Sequence, residues 1–105
     1  MSLITPTARS VTEDTARALD PSVTGTELVA LAAHRDAKVR AVIAARADAP
    51  MASLISLAHE RDDRIHEALV DNPKSPLWVI RKLATDGKSK IRRRAQERLT
   101  QLEAV

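Results

Sequence analysis

Three observations on this 105-residue chain predict an all-α fold of short, stacked helix pairs. The first is a 26-residue repeat without insertions. Thr24-Gly-Thr-Glu-Leu-Val-Ala-Leu-Ala aligns with Pro50-Met-Ala-Ser-Leu-Ile-Ser-Leu-Ala and with Pro76-Leu-Trp-Val-Ile-Arg-Lys-Leu-Ala. The apolar columns fall into register as Leu28/Leu54/Ile80, Leu31/Leu57/Leu83, Ala32/Ala58/Ala84, Val39/Ile65/Ile91 and Ile43/Leu69/Ala95. The second is composition: 44% hydrophobic residues, almost all aliphatic, with one Trp, no Phe or Tyr and only two Gly. Small and straight-chain residues lose least freedom in a helix, and a sheet of many hairpins needs more turn residues and aromatics than this. The third is spacing, since Leu28, Leu31 and Ala32, and again Leu54, Leu57 and Ala58, follow the i, i+3, i+4 pattern of one helical face. Units of such a period bury their apolar faces only against their neighbours. The expected architecture is a small α-solenoid of three two-helix repeats in one domain. Residues 1–22 form an N-terminal cap, 23–48 the first repeat, 49–74 the second, and 75–105 the third with a longer C-terminal helix.

Each element has a local reason. Ser10-x-x-Glu13 is a capping box, opening an N-terminal capping helix that runs weakly amphipathic to Leu19 and covers the first repeat. Thr24-x-x-Glu27 is a second box and starts the first helix of repeat one. Pro50 holds the same place in repeat two, and Ser75-Pro76 sets an N-cap before a proline at the first helical position in repeat three. Breaks at Arg35-Asp36 and Arg61-Asp62 place an Asp at the start of each second helix, and Asp86-Gly87 makes the turn in the third repeat. The second helices are predicted over about 37–46, 63–71 and 89–102. The middle one stops at Asn72-Pro73, because proline excludes helical geometry from the residue before it. Ile91, Ala95, Leu99 and Leu102 form the inward stripe of the last.

Composition removes several function classes. There is no cysteine, which excludes disulfides, thiolate metal sites and cysteine nucleophiles. No apolar run approaches the ~20 residues that span a bilayer, and the N-terminus lacks the basic and long apolar regions of a secretion signal. A cytoplasmic protein with no membrane partner is expected. His34, His59 and His66 lack ligand spacing, no Gly-rich phosphate loop exists, and no nucleophile motif stands out, so neither metal, cofactor, small-molecule substrate nor enzymatic activity is expected. The net charge of +3 hides an asymmetry: residues 1–73 carry eight Lys/Arg against eleven Asp/Glu, residues 74–105 nine against three. Such asymmetry speaks about partners.

Asp36-Ala-Lys-Val39-Arg40 followed by an Ala-rich helix, then Asp71-Asn72-Pro73-Lys74-Ser75-Pro76 with Leu83-Ala84 after it, resembles the variant leucine-rich repeat of the HEAT-like α-solenoid group. The likeness covers about residues 23–99, and Asn72-Pro73-x-Ser75-Pro76 is its most specific part. The first repeat degrades that motif to Arg46-Ala-Asp-Ala-Pro50. The resemblance implies a right-handed stack with a curved surface and no activity. An iron–sulfur cluster found in one member type sits on a cysteine-rich segment that this chain lacks. DNA glycosylase relatives use several aromatics beside a carboxylate, which this chain does not match.

The repeat superimposes charges as well as core. Lys38, Arg64 and Lys90 share one column, expected as a basic ladder with rungs about 8–10 Å apart. With no local carboxylate partner, and with cations disfavoured near helix N-termini, helix stability does not explain it. Arg40, His66 and Arg92 share another column, and there Asp36 and Asp62, four residues ahead of Arg40 and His66, supply i, i+4 pairs and a packing role. Arg92, Arg93 and Arg94 make the densest cluster, with Arg93 outward. Trp78 is expected to pack over the last interhelix groove or to serve as an exposed interface anchor. Two functions remain: a protein-interaction adaptor docking an acidic partner through its basic C-terminal surface, or a sequence-nonspecific binder of duplex DNA through the same cations. Single-strand binding is disfavoured, because it wants aromatic stacking platforms.

Overall fold

The computed structural model describes residues 10–104, and residues 1–9 of the expected N-terminal cap lie outside them. Seven helices and no strand occur among the described residues: α1 (Val11–Leu19), α2 (Thr26–Ala32), α3 (Ala37–Ala44), α4 (Met51–Ala58), α5 (Asp63–Asp71), α6 (Leu77–Asp86) and α7 (Ser89–Glu103). The odd-numbered helices pack in series, α1 on α3, α3 on α5 and α5 on α7, while α2, α4 and α6 lie against the odd helices that follow them.

The odd helices start 26 residues apart, and their caps share the spacing. Ser10, Asp36 and Asp62 each stand at an N-cap, accepting from the backbone N–H of Glu13, Lys38 and Arg64 at 2.8–3.0 Å. Each satisfies one donor that a helix start leaves orphaned. Lys88 holds the same place before α7 and makes no such bond. α1, expected as an N-terminal capping helix, therefore keeps the register of α3, α5 and α7.

Two even-helix starts differ from expectation. Gly25, not Thr24, caps α2, at a positive φ of 62° that L side chains rarely adopt. Glu27 does not return to the cap; it pairs with Arg17 of α1. Pro76 rather than Ser75 is the N-cap of α6, and the Ser75 hydroxyl donates to the Leu69 carbonyl at 2.6 Å. Gly87 ends α6, and there a Cβ would stand 2.5 Å from the Leu83 carbonyl oxygen, so the turn admits only glycine.

The aliphatic columns form the core. Leu31, Leu57 and Leu83 are all buried, as are Leu28, Leu54 and Ile80, Val39, Ile65 and Ile91, and Ile43, Leu69 and Ala95. Each large side chain so buried contributes about 1.5–3 kcal/mol. On α7 the stripe fades: Leu99 is half-buried and Leu102, expected inside, is exposed. No helix packs beyond α7 among the described residues to cover it.

Candidate interaction surface

Lys38, Arg64 and Lys90 are each the second residue of a helix in the serially packed row, and all three are exposed. Arg64 has a local carboxylate partner, against expectation, and Lys90 finds one on a neighbouring helix. Arg64 is bonded to the N-cap Asp62 two residues back, Nη2 to Oδ2 at 3.0 Å, and Lys90 reaches Glu67 of α5 at 3.9 Å. Only the Lys38 amine of this column has no partner among the described residues. The Arg64 guanidinium, with help from backbone N–H groups, pushes the Asp62 carboxyl down to about 2.

The cluster on α7 is largely engaged as well. Asp63, Glu67 and Asp71, spaced i, i+4, i+8, make a carboxylate stripe along α5. Lys88 pairs with Asp63 at 2.9 Å, Lys90 with Glu67, and Arg94 with Asp71. Asp63 holds the Lys88 ammonium above its ordinary range. Arg92 donates to the Gly87 carbonyl at 3.4 Å. Arg93 is exposed with no partner among the described residues. The basic C-terminal third thus turns three of its nine cations, Lys88, Lys90 and Arg94, onto α5, a pairing that the i, i+4 acids could have disclosed.

Sequence reasoning missed a polar column, Arg46, Asn72 and Arg98. Each reaches back to the carbonyls 28 and 26 residues earlier. Arg46 Nη1 donates to Ala18 and Asp20 at 2.9 and 3.0 Å, and Asn72 Nδ2 to Ala44 and Arg46 at 2.7 and 2.9 Å. Arg98 Nη1 donates to Val70 and to Asn72, the latter at 2.8 Å. These are carbonyls at the ends of α1, α3 and α5, which lack partners inside their own helices. Asn72 is fully buried, and its Oδ1 accepts from Lys74 N–H at 2.8 Å. The signal was present as one donor-bearing residue every 26 positions.

The column of Arg40 and His66 also behaves differently from expectation. Asp36 and Asp62 cap their helices instead of pairing four residues on. Arg40 Nη1 donates to the His34 carbonyl six residues back at 2.6 Å, while its Nε and Nη2 hold Glu60, twenty residues ahead, at 2.9–3.1 Å. One step earlier, Asp14 meets His34 Nε2, again twenty residues ahead, at 2.8 Å. The Nδ1 of His34 accepts from Asp36 N–H, so Nε2 carries the proton given to Asp14. At the next step His66 Nε2 donates to the Glu60 carbonyl, six back, and makes no bond to Asp86, twenty ahead. A guanidinium has donors for both directions; an imidazole spends its one aligned N–H on the carbonyl.

Where that rung is missing, a cleft of about 460 Å³ opens between the α4–α5 turn and the α6–α7 turn. Its lining includes His59, Arg61, His66, Lys82 and Asp86. Beside it stands Trp78, 41% exposed, its ring 5.9 Å from that of His59 at a 35° tilt. Trp78 thus meets the residue that ends α4 and still shows a face to solvent. Met51 and Ile55 on α4 and Leu77 on α6 are exposed too. A larger hollow of about 670 Å³ near the ends of α1 and α3 is lined by Leu19, Pro21, Ala41, Val42 and Ala45, and its polar groups Arg46 and Asp48 are paired with each other.

Among the described residues no group of His, Asp and Glu is placed to hold a metal ion, and no helix is long and apolar enough to cross a membrane. No family model, no curated protein and no solved structure matches this chain.

Proposed function

We propose that this chain is a HEAT-like α-solenoid of the variant leucine-rich type, working in the cytoplasm as a non-enzymatic adaptor that docks an acidic protein partner. One observation supports the reading above the others. Exposed Met51, Ile55, Leu77 and Trp78 lie on α4 and α6, where the charged neighbours Arg81 and Lys82 are cations without ion pairs among the described residues. Exposed large apolar side chains are candidate interface contacts, and Trp is enriched among the residues that dominate interface energy. The cations select an acidic partner and speed its approach. The arginine cluster on α7 supports docking less, because Asp63, Glu67 and Asp71 already neutralise much of its neighbourhood.

The reading is tested by two measurements on the same protein. Affinity capture with mass spectrometry, in the presence of nuclease, should yield acidic partners with the wild type and lose them with Leu77→Ser combined with Trp78→Ser. A generic DNA duplex should show no binding at ~50 mM salt. Duplex binding with a log–log salt slope near −0.9 per phosphate neutralised, together with unchanged capture by the double variant, would replace the adaptor by a nucleic-acid binder.

A further inference from the structure

Resting on the adaptor reading, we infer that the cleft beside Trp78 receives a side-chain carboxylate from an acidic peptide segment of the partner, whose neighbouring apolar side chain packs on the indole. The cleft lies where the Arg40–Glu60 rung has no counterpart one step on. His66 gives its Nε2–H to the Glu60 carbonyl, and Asp86 is left without a partner among the described residues. Of the other charges in the lining, Glu60 is held by Arg40 and Asp63 by Lys88. Arg61 and Lys82 face the same space with no ion pair. Two unpaired cations against the single unpaired Asp86 leave the cleft one negative charge short, before His59 and His66 are considered.

Charge complementarity therefore selects an anion, and the geometry selects a peptide. Exposed cations alone hold a small anion weakly, because water competes for it. Trp78 lies four residues before Lys82, on the same face of α6, and His59 both touches the Trp78 ring and lines the cleft. Apolar anchor and cation pair are thus continuous. A segment with an acidic residue beside an apolar one engages both, and the fork of Arg61 can take the carboxylate bidentately.

The experiment is selection from a displayed library of random peptides on the wild type, on Arg61→Gln combined with Lys82→Gln, and on His66→Arg. Affinities of the synthesised winners are read from the fluorescence of Trp78, the one tryptophan in the chain. Wild-type selection should enrich Glu or Asp next to a large apolar residue, and binding should shift the Trp78 emission. The double Gln variant should bind those peptides about tenfold more weakly, as loss of charge-assisted bonds predicts. His66→Arg should supply the missing rung to Asp86, fill the cleft and weaken the same peptides while leaving thermal stability at least equal to wild type. Winners without acidic enrichment, or undiminished affinity in the double Gln variant, would overturn the cleft inference and leave the adaptor standing. If no peptide is recovered on wild type, the adaptor reading itself falls. The Gln substitutions remove side chains that hold no ion pair, so they decide the matter even if His66→Arg folds poorly.

Discussion

The junction spanned by Arg40 and the junction faced by His66 share one 26-residue register, one set of aliphatic core columns and one backbone contact six residues back. They part at two paired polar positions, where Arg40 and Glu60 give way to His66 and Asp86. Arg40 ties the second helix of its pair to Glu60 in the following turn. His66 has no donor left for Asp86, and a cleft remains with Arg61 and Lys82 in its wall. The difference teaches that in a repeated scaffold the core columns set the frame, while departures at paired polar positions mark a site.

The shared frame is the first thing to break. Leu57 is fully buried between the two junctions, so Leu57→Ala should cost ~2–5 kcal/mol in chemical denaturation by opening a cavity there. An effect near zero would mean that the two junctions do not share a core.

Asn72 comes next. Asn72→Ala strands the Ala44 carbonyl, leaves the Arg46 carbonyl only its bond from Ala49 N–H, and should cost about 2–3 kcal/mol. Arg46→Ala and Arg98→Ala, at less buried places of the same column, should each cost only about 1 kcal/mol. Equal costs at all three positions would show that burial does not grade this column.

The rungs themselves should differ by less. Arg40→Ala loses a carbonyl bond and an ion pair and should cost about 1–2 kcal/mol. His66→Ala, losing the carbonyl bond alone, should cost about 0.5–1 kcal/mol. Urea titrations of the two variants give the comparison directly.

How much of this was legible in the sequence follows from which forces left a periodic trace. The apolar columns were readable because burial demands the same residue class every 26 positions, and Leu31, Leu57 and Leu83 lie where that demand puts them. The caps at Ser10, Asp36 and Asp62 were readable because an N-cap is local. Asn72 was legible as a helix end and as part of the repeat motif but not as a donor, since its partners lie 26 and 28 residues away and no local pattern points there. Arg64 was read as unpaired because the i, i+4 rule does not reach a carboxylate two residues back across a helix start. The exposed face of Trp78 was visible as an alternative, and its contact with His59 was not, because it joins two helices. The cleft itself was illegible, since it lies between two turns that no local pattern joins.

The smallest expected effect concerns the cap of α5. Asp62 is depressed to about 2 chiefly by its bond to Arg64. A depressed carboxyl stabilises the fold above its ordinary range and loses that contribution as protons return. Its share should therefore be complete above the usual value of 3.8 and vanish as pH falls toward about 2. Acid titration of helicity should show wild type above Asp62→Asn near neutrality and the two curves merging at the acid end. Curves parallel throughout would remove the charge from the account of this cap.

The claim that one missing donor opens the second junction is tested most directly by a double-mutant cycle between His66→Arg and Asp86→Ala, read as unfolding free energy. In the wild type Asp86→Ala should cost nothing or stabilise slightly, since a carboxylate at the end of α6 opposes the helix dipole. In the His66→Arg background the same change should cost about 0.5–1 kcal/mol, because it removes the restored rung. A coupling energy of zero would contradict the account, showing that the donor count at residue 66 does not decide whether this junction closes.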